Sequence, residues 1–323
     1  MLALSLMTPP AFAKGQTVNI EGRLDLGLDY QQARQTGTLY FDSRVKLKTK
    51  RADGFKAIIE VKGNSKNREA RFDEAYLNYK LNEDDRILFG FRRKGLGLDI
   101  LRGFQKRFFT KRHIASQYLE TIAYNSVEPG LSLRRKHDEG SFAVSIFVPE
   151  SKDSSFNFHK TWTFSQPGIN LGIWGLIQQD TRFEAEKKVV GASQFAIWHE
   201  FSSGHQWDFE IGLGVDPLQS ELSQLTDSGE IYYHSAILGY RLRFLEEKAA
   251  KKYHEIGIRI ANLVKDSNQP TLSSQEASLG YAAFHNTISY HAGVFIIVDR
   301  NPILDDDLSY LRSEAQISIR KTL

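Results

Sequence analysis

The chain has 323 residues, 42 Lys+Arg against 39 Asp+Glu, a formal net charge of +3, 12% aromatics and no cysteine. The aromatic and aliphatic content excludes a disordered chain, and the missing cysteines exclude a disulfide scaffold or a cysteine metal site. No uncharged apolar run reaches about 18 residues, which excludes a membrane-spanning helix, and so small a charge excess is no argument for nucleic acid.

Residues 1–13 are uncharged, hold an apolar stretch and end Ala11-Phe12-Ala13, an A-x-A cleavage pattern. They are predicted as a signal peptide, shortened at its basic start, ahead of a single domain over 14–323. Without cysteines, an exported domain must hold its fold without disulfides.

From Val18 onward the dominant signal is two-residue alternation. Val18, Ile20, Leu24, Leu26, Leu28 and Tyr30 are apolar, with Gly22 in the same phase, while Asn19, Glu21, Arg23, Asp25, Gly27 and Asp29 are polar or small. One greasy and one wet face on an extended strand follow from this pattern. Leu39, Phe41, Val45 and Leu47 repeat it against Tyr40, Asp42, Arg44, Lys46 and Lys48. Sixteen strands are predicted, over 17–30, 38–50, 54–63, 71–81, 86–96, 119–135, 141–148, 156–164, 169–178, 188–201, 206–215, 230–245, 252–263, 274–284, 287–298 and 309–322. The basic, aromatic stretch 100–112 is the one local helix candidate.

Connections after even-numbered strands are short, and those after odd-numbered strands are predicted to be longer, the longest running from Gly97 to Tyr118. An even strand count with short turns alternating with longer loops is the pattern of an outer-membrane β-barrel. Closure is the physical reason, because an open sheet edge in lipid would leave backbone groups unpaired. Sixteen strands enclose more space than side chains fill, so a water-filled lumen is expected. Tyr30, Phe55, Tyr79, Trp162 and Trp207, near strand ends, are expected in interfacial girdles. A soluble β-sandwich also alternates, but no Pro-rich linker or compositional shift divides this chain.

Two basic sets could act on a solute. From Arg86 to Arg112 nine Lys/Arg meet a single acid, Asp99. A third loop of this size can fold into a barrel and narrow it, with Phe104, Phe108 and Phe109 as anchors on the inner wall. Guanidinium groups in a narrow pore favour oxyanions; otherwise the run is a solvated exterior loop against anionic lipopolysaccharide and lipid. Lys46, Lys48, Lys50 and Lys56, beside the first short turn, would line the lumen from the periplasmic side unless acids such as Asp42 and Glu60 cancel them. No catalytic or metal motif is complete: His199-Glu200 begins like H-E-x-x-H, but Ser203 stands where the second histidine belongs.

Residues 72–81 (FDEAYLNYKL) and 86–99 (RILFGFRRKGLGLD) resemble the phosphate-selective porins O and P, which carry an acid, Ala and Tyr on one strand and a glycine, a basic residue and a G-L-E-like turn into the third loop. The resemblance implies a homotrimeric sixteen-stranded channel with an infolded third loop and a basic lumen. It makes Arg92, Lys94, Arg102, Lys106 and Arg107 constriction candidates, and Lys46, Lys48, Lys50 and Lys56 a periplasmic lysine set. The expected function is passive diffusion of small anionic solutes, phosphate among them, through the outer membrane of a Gram-negative bacterium, with no cofactor, no enzymatic activity and no nucleic-acid partner. The alternatives are a general non-selective porin, a non-conducting barrel serving as anchor or receptor, and a barrel hydrolase with a site assembled from distant strands.

Overall fold

The computed structural model describes residues 17–31, 36–50, 54–65, 69–98, 108–148, 154–164, 168–180, 188–216, 231–247, 252–269, 272–300 and 309–322. The strands are β1 (Thr17–Gln31), β2 (Thr36–Lys50), β3 (Phe55–Asn64), β4 (Glu69–Lys80), β5 (Asp85–Arg93), β6 (Val127–His137), β7 (Gly140–Phe147) and β8 (Ser155–Phe164). They continue with β9 (Ile169–Asp180), β10 (Lys188–Glu200), β11 (Gln206–Val215), β12 (Tyr232–Glu247), β13 (Lys252–Val264), β14 (Ser273–His285), β15 (Ile288–Arg300) and β16 (Ser309–Thr322). Every strand pairs antiparallel with its sequence neighbours, and β1 pairs with β16, from Glu21 opposite Thr322 to Gln31 opposite Arg312. The sheet is therefore a closed sixteen-stranded barrel with no edge.

Alternation decides which way each side chain points. On β1, Leu24, Leu26 and Leu28 are exposed on the outside, while Arg23, Asp25 and Asp29 are buried inside. On β13, Ile256, Ile258 and Ile260 face out, and Glu255, Arg259 and Ala261 face in. An apolar outer belt on a closed sheet is the surface that hydrocarbon requires.

The strand limits match the sequence reading to within three residues except at the start of β6. Residues 119–126, predicted as strand, instead finish helix α1 (Ile114–Thr121) and its exit turn. Of the helix candidate 100–112, residues 100–107 lie outside the described residues, and 108–112 are not helical. Ile114, Ala115 and Leu119 form a buried stripe along α1, and Ile122 caps it in full burial; that spacing is helical, and its β-branched and aromatic residues imitate a strand. Ala123, at a φ of 65°, turns the chain back toward β6. The turns after even-numbered strands are short, as expected. The first two odd-numbered connections, 32–35 and 65–68, are no longer than those turns, so the long-loop rhythm starts only at the third.

Candidate functional site

The described parts of the third connection, residues 94–98 and 108–126, lie inside the barrel. Leu96, Leu98, Ile114, Leu119, Ile122 and Tyr124 form one buried cluster with Trp174 and Leu176 of β9, Val190, Ala192 and Ala196 of β10, Tyr233 and Ile237 of β12, Ala261 and Leu263 of β13 and Ile297 of β15. Burying a large apolar side chain stabilises by about 1.5–3 kcal/mol, so this inner wall holds the segment firmly. Polar contacts fix its register. The N–H of Leu98 donates to Glu210 Oε2 at 2.7 Å, and that of Ile114 donates to Glu276 Oε2 at 2.9 Å. The second contact puts a carboxylate at the helix N-terminus, where exposed N–H groups favour negative charge. His113 caps the same end, accepting from the Ser116 N–H at 3.1 Å.

Just before α1 the chain crosses the lumen over a shelf of glycines. Gly257 of β13 is opposite Gly280 of β14, which is opposite Gly293 of β15. A Cβ at Gly257 or at Gly280 would stand 2.7 Å from Phe108 Cε1, so side chains there would expel the ring. Phe108 and Phe109 meet edge to face at 4.9 Å and pack with Ala282 and Phe295. Four successive carbonyls are then held by four wall side chains. His291 Nδ1 donates to Phe108 at 2.9 Å, Arg320 Nη2 to Phe109 at 3.5 Å, Arg23 to Thr110, and Arg259 Nη1 to Lys111 at 3.2 Å. Arg259 is itself fixed by Glu276 at 2.6 Å, and Lys111 by Glu314. Much of the positive charge on this part of the wall thus carries the loop.

The space left open runs along the other side. A cavity of about 430 Å³ is lined from β1, β2, β3, β16 and the 110–121 segment, with Arg23, Arg44, Lys62, Lys111, Arg112 and Arg312 facing Asp25, Asp42, Glu120 and Glu314. A second, of about 240 Å³, is lined from β2 to β9, with Arg44, Lys46, Arg92, Arg93, Arg112 and Arg134 facing Glu60, Asp73 and Glu74. Arg44 and Arg112 belong to both linings, which puts them where the two cavities meet. Arg44 pairs with Glu60 at 2.9 Å and Asp73 at 3.5 Å; Arg93 pairs with Asp73 at 2.7 Å. Glu120 on α1 takes Arg112 at 2.8 Å and Arg93 at 3.2 Å, tying the helix across the lumen to β5. Burial opposes the charge on Glu120, but Arg93 and Arg112 outweigh it and hold the carboxyl below its ordinary value.

Among the predicted site residues, Arg92 and Lys46 line the smaller cavity. Lys46 is balanced by Glu60 at 2.7 Å and Glu74 at 3.4 Å, and Lys48 by Glu21. Lys50 stands opposite Lys56 at the short-turn end, where both keep water access. Lys94 is only 1% exposed, bonded to Glu128 at 2.7 Å and Gln178 at 2.8 Å, and lines neither cavity. Arg102, Lys106, Arg107 and Phe104 lie outside the described residues. Sequence reading held Arg112 within the basic run but not among the constriction candidates, and it missed Arg44, Arg134 and the glycine shelf; Arg44 and Arg134 sit in the polar phase of their strands, a signal shared by many wall residues. His199 bonds the Gly168 carbonyl at 2.8 Å and His205 the Tyr240 hydroxyl at 2.9 Å, and no group of three or more metal-type ligands occurs among the described residues.

No family model matches the chain, and no curated protein matches it in sequence. Solved structures do. The anion-selective porin from Comamonas acidovorans superposes with a TM-score of 0.65 at 10% identity, over 95% of this chain and all of that one. OprB from Pseudomonas putida gives 0.66 at 9% identity, over 96% of this chain and 94% of that one. The trimer form of OmpT, an outer membrane protein of Vibrio cholerae, gives 0.59 at 12% identity, over 96% and 100%. The fold is thus a porin-type β-barrel.

Proposed function

We propose that the protein is an outer-membrane diffusion porin of a Gram-negative bacterium that passes small anionic solutes. The apolar belt and the fold shared with outer-membrane porins support the membrane and the class. One observation carries the preference for anions: the lining of the larger cavity has six cations against four carboxylates, and that of the smaller six against three. In a narrow lumen with low-dielectric walls such an excess concentrates anions and repels cations. Passage is passive. A solute sheds part of its hydration where Arg44 and Arg112 approach, exchanges it for guanidinium donors, and leaves because those donors are already shared with Glu60, Asp73 and Glu120. Phosphate joins the candidate solutes through the resemblance to porins O and P, and a homotrimer through that resemblance and the trimer form of the Vibrio cholerae barrel.

The reversal potential of the purified protein in a planar bilayer under a KCl gradient tests this reading. A chloride-selective potential is expected; a potassium-selective one would overturn it. Changing Arg102, Lys106 and Arg107 to Gln asks whether these three share the passage, and cross-linking in detergent checks the trimer.

A further inference from the structure

The smaller cavity has two unlike sides. Toward β2–β5, cations and carboxylates answer each other: Arg44 and Lys46 with Glu60, Arg93 with Asp73. Glu74 is engaged by Lys46 at 3.4 Å and by the N–H of Arg93 at 3.2 Å. Toward β6–β8, Arg92 and Arg134 face the same space, and among the described residues neither has a carboxylate within 4.0 Å.

Strand register explains the arrangement. Arg134 stands opposite Ala143, Ala143 opposite His159, and His159 opposite Trp174, in one row across β6–β9. The next row holds Ser132, Ser145 and Asn157. Ala143 is the short side chain that leaves the hollow. The Arg92 guanidinium reaches Ser132 Oγ and lies 5.3 Å from the centre of the Tyr76 ring. Arg134 Nε and both amide atoms of Asn157 are buried with no hydrogen-bond partner. Two arginines on one small cavity without a carboxylate partner, and unsatisfied buried donors, are both costly, and one bound anion relieves both.

The rest of the lining says which anion. Tyr76, Phe147 and Trp174 border the same hollow. A phosphate dianion needs donors around every oxygen, and the faces of aromatic rings provide none. A carboxylate puts two oxygens on a guanidinium fork and lays its organic part on the rings. At about 240 Å³ the hollow is smaller than the roughly 300–1,000 Å³ of drug-sized pockets, which limits the solute to about one ring.

We propose that Arg92, Arg134 and Asn157 form a binding site for a small organic carboxylate, with the aromatic wall as its specificity surface. This rests on the reading that the lumen conducts anions. Sodium benzoate and inorganic phosphate, added separately to single channels in KCl, test it. Benzoate is expected to block at lower concentration than phosphate. Arg134→Gln should raise the half-blocking benzoate concentration about tenfold, the loss of one charge-assisted contact, and Arg134→Lys, which keeps the charge without the fork, should fall between. Heat-modifiable gel mobility identifies folded barrels; if Arg134→Gln does not assemble, Asn157→Ala must weaken the benzoate block in the same direction. Equal or stronger block by phosphate, or a benzoate block unchanged in folded variants, would overturn the site. A chloride-selective channel that benzoate does not block defeats this inference alone, whereas a potassium-selective channel defeats the anion porin first.

Discussion

The inner wall of this barrel has two different surfaces. Along β9–β15, strands offer Leu176, Val190, Ala196, Tyr233, Ile237 and Ala261 to the lumen, and the third connection covers them. Along β16 and β1–β8, the same inward phase carries Arg23, Asp25, Arg44, Lys46, Glu60, Arg92 and Arg134, and the space beside them stays open. The outside does not register this division, because lipid asks for the same apolar residues everywhere. What a strand places on its lumen face therefore decides whether that sector holds protein or water, and the passage is off-centre as a result.

The contrast can be broken most strongly at the glycine shelf. Gly280→Trp would put an indole where Phe108 and Phe109 now lie. The segment should leave the lumen, single-channel conductance should rise severalfold and ion selectivity should fall, while the barrel still assembles. Glu276→Gln attacks the same anchorage from the wall. It strips the partner from the buried Arg259 and from the α1 N-terminus, and removing one member of a buried pair costs about 3–5 kcal/mol. Urea unfolding in liposomes should show the loss, and current traces should become noisy.

A pH titration sharpens the comparison at its seam. The carboxyl of Glu120 is held below its ordinary value, so its tie to Arg93 and Arg112 contributes fully above the unfolded value of about 4.3. The tie is lost only as pH falls through the lower folded value. Conductance should hold steady from neutral to mildly acidic pH and become unstable only at stronger acidity. The smallest effect belongs to the mouth. Lys50→Gln with Lys56→Gln should reduce anion selectivity slightly at low salt and not at all near 1 M, where charges separated by more than about 3 Å are screened.

The strands were legible because two solvents, lipid and water, impose a strict period of two along the whole chain. The β6 start was not, since Ile114, Leu119 and Ile122 meet an apolar wall inside the barrel at helical spacing, and Tyr124 follows in the exit turn. The same limit applies to the site. Basic residues in the polar phase could be found, but ion pairing depends on cross-strand register: Lys46 meets Glu60 directly across β2–β3. It depends equally on where the third connection lands. Arg23, Arg259 and Arg320 hold backbone carbonyls of that segment, while among the described residues Arg92 and Arg134 do not, and nothing in their neighbours along the sequence separates the two groups. The three shelf glycines likewise look unrelated until β13, β14 and β15 are aligned.

The absence of native cysteine makes the off-centre passage directly measurable. Single cysteines at Gln117 and Ser145, which line the two cavities, and at Ala196 and Ala261, which lie in the covered sector, can each be exposed to a charged thiosulfonate during current recording. Current should drop on reaction at Gln117→Cys and Ser145→Cys and stay constant at Ala196→Cys and Ala261→Cys. Rapid block at Ala196→Cys or Ala261→Cys would show that ions run along β9–β15 and would contradict the division of the lumen on which this account rests.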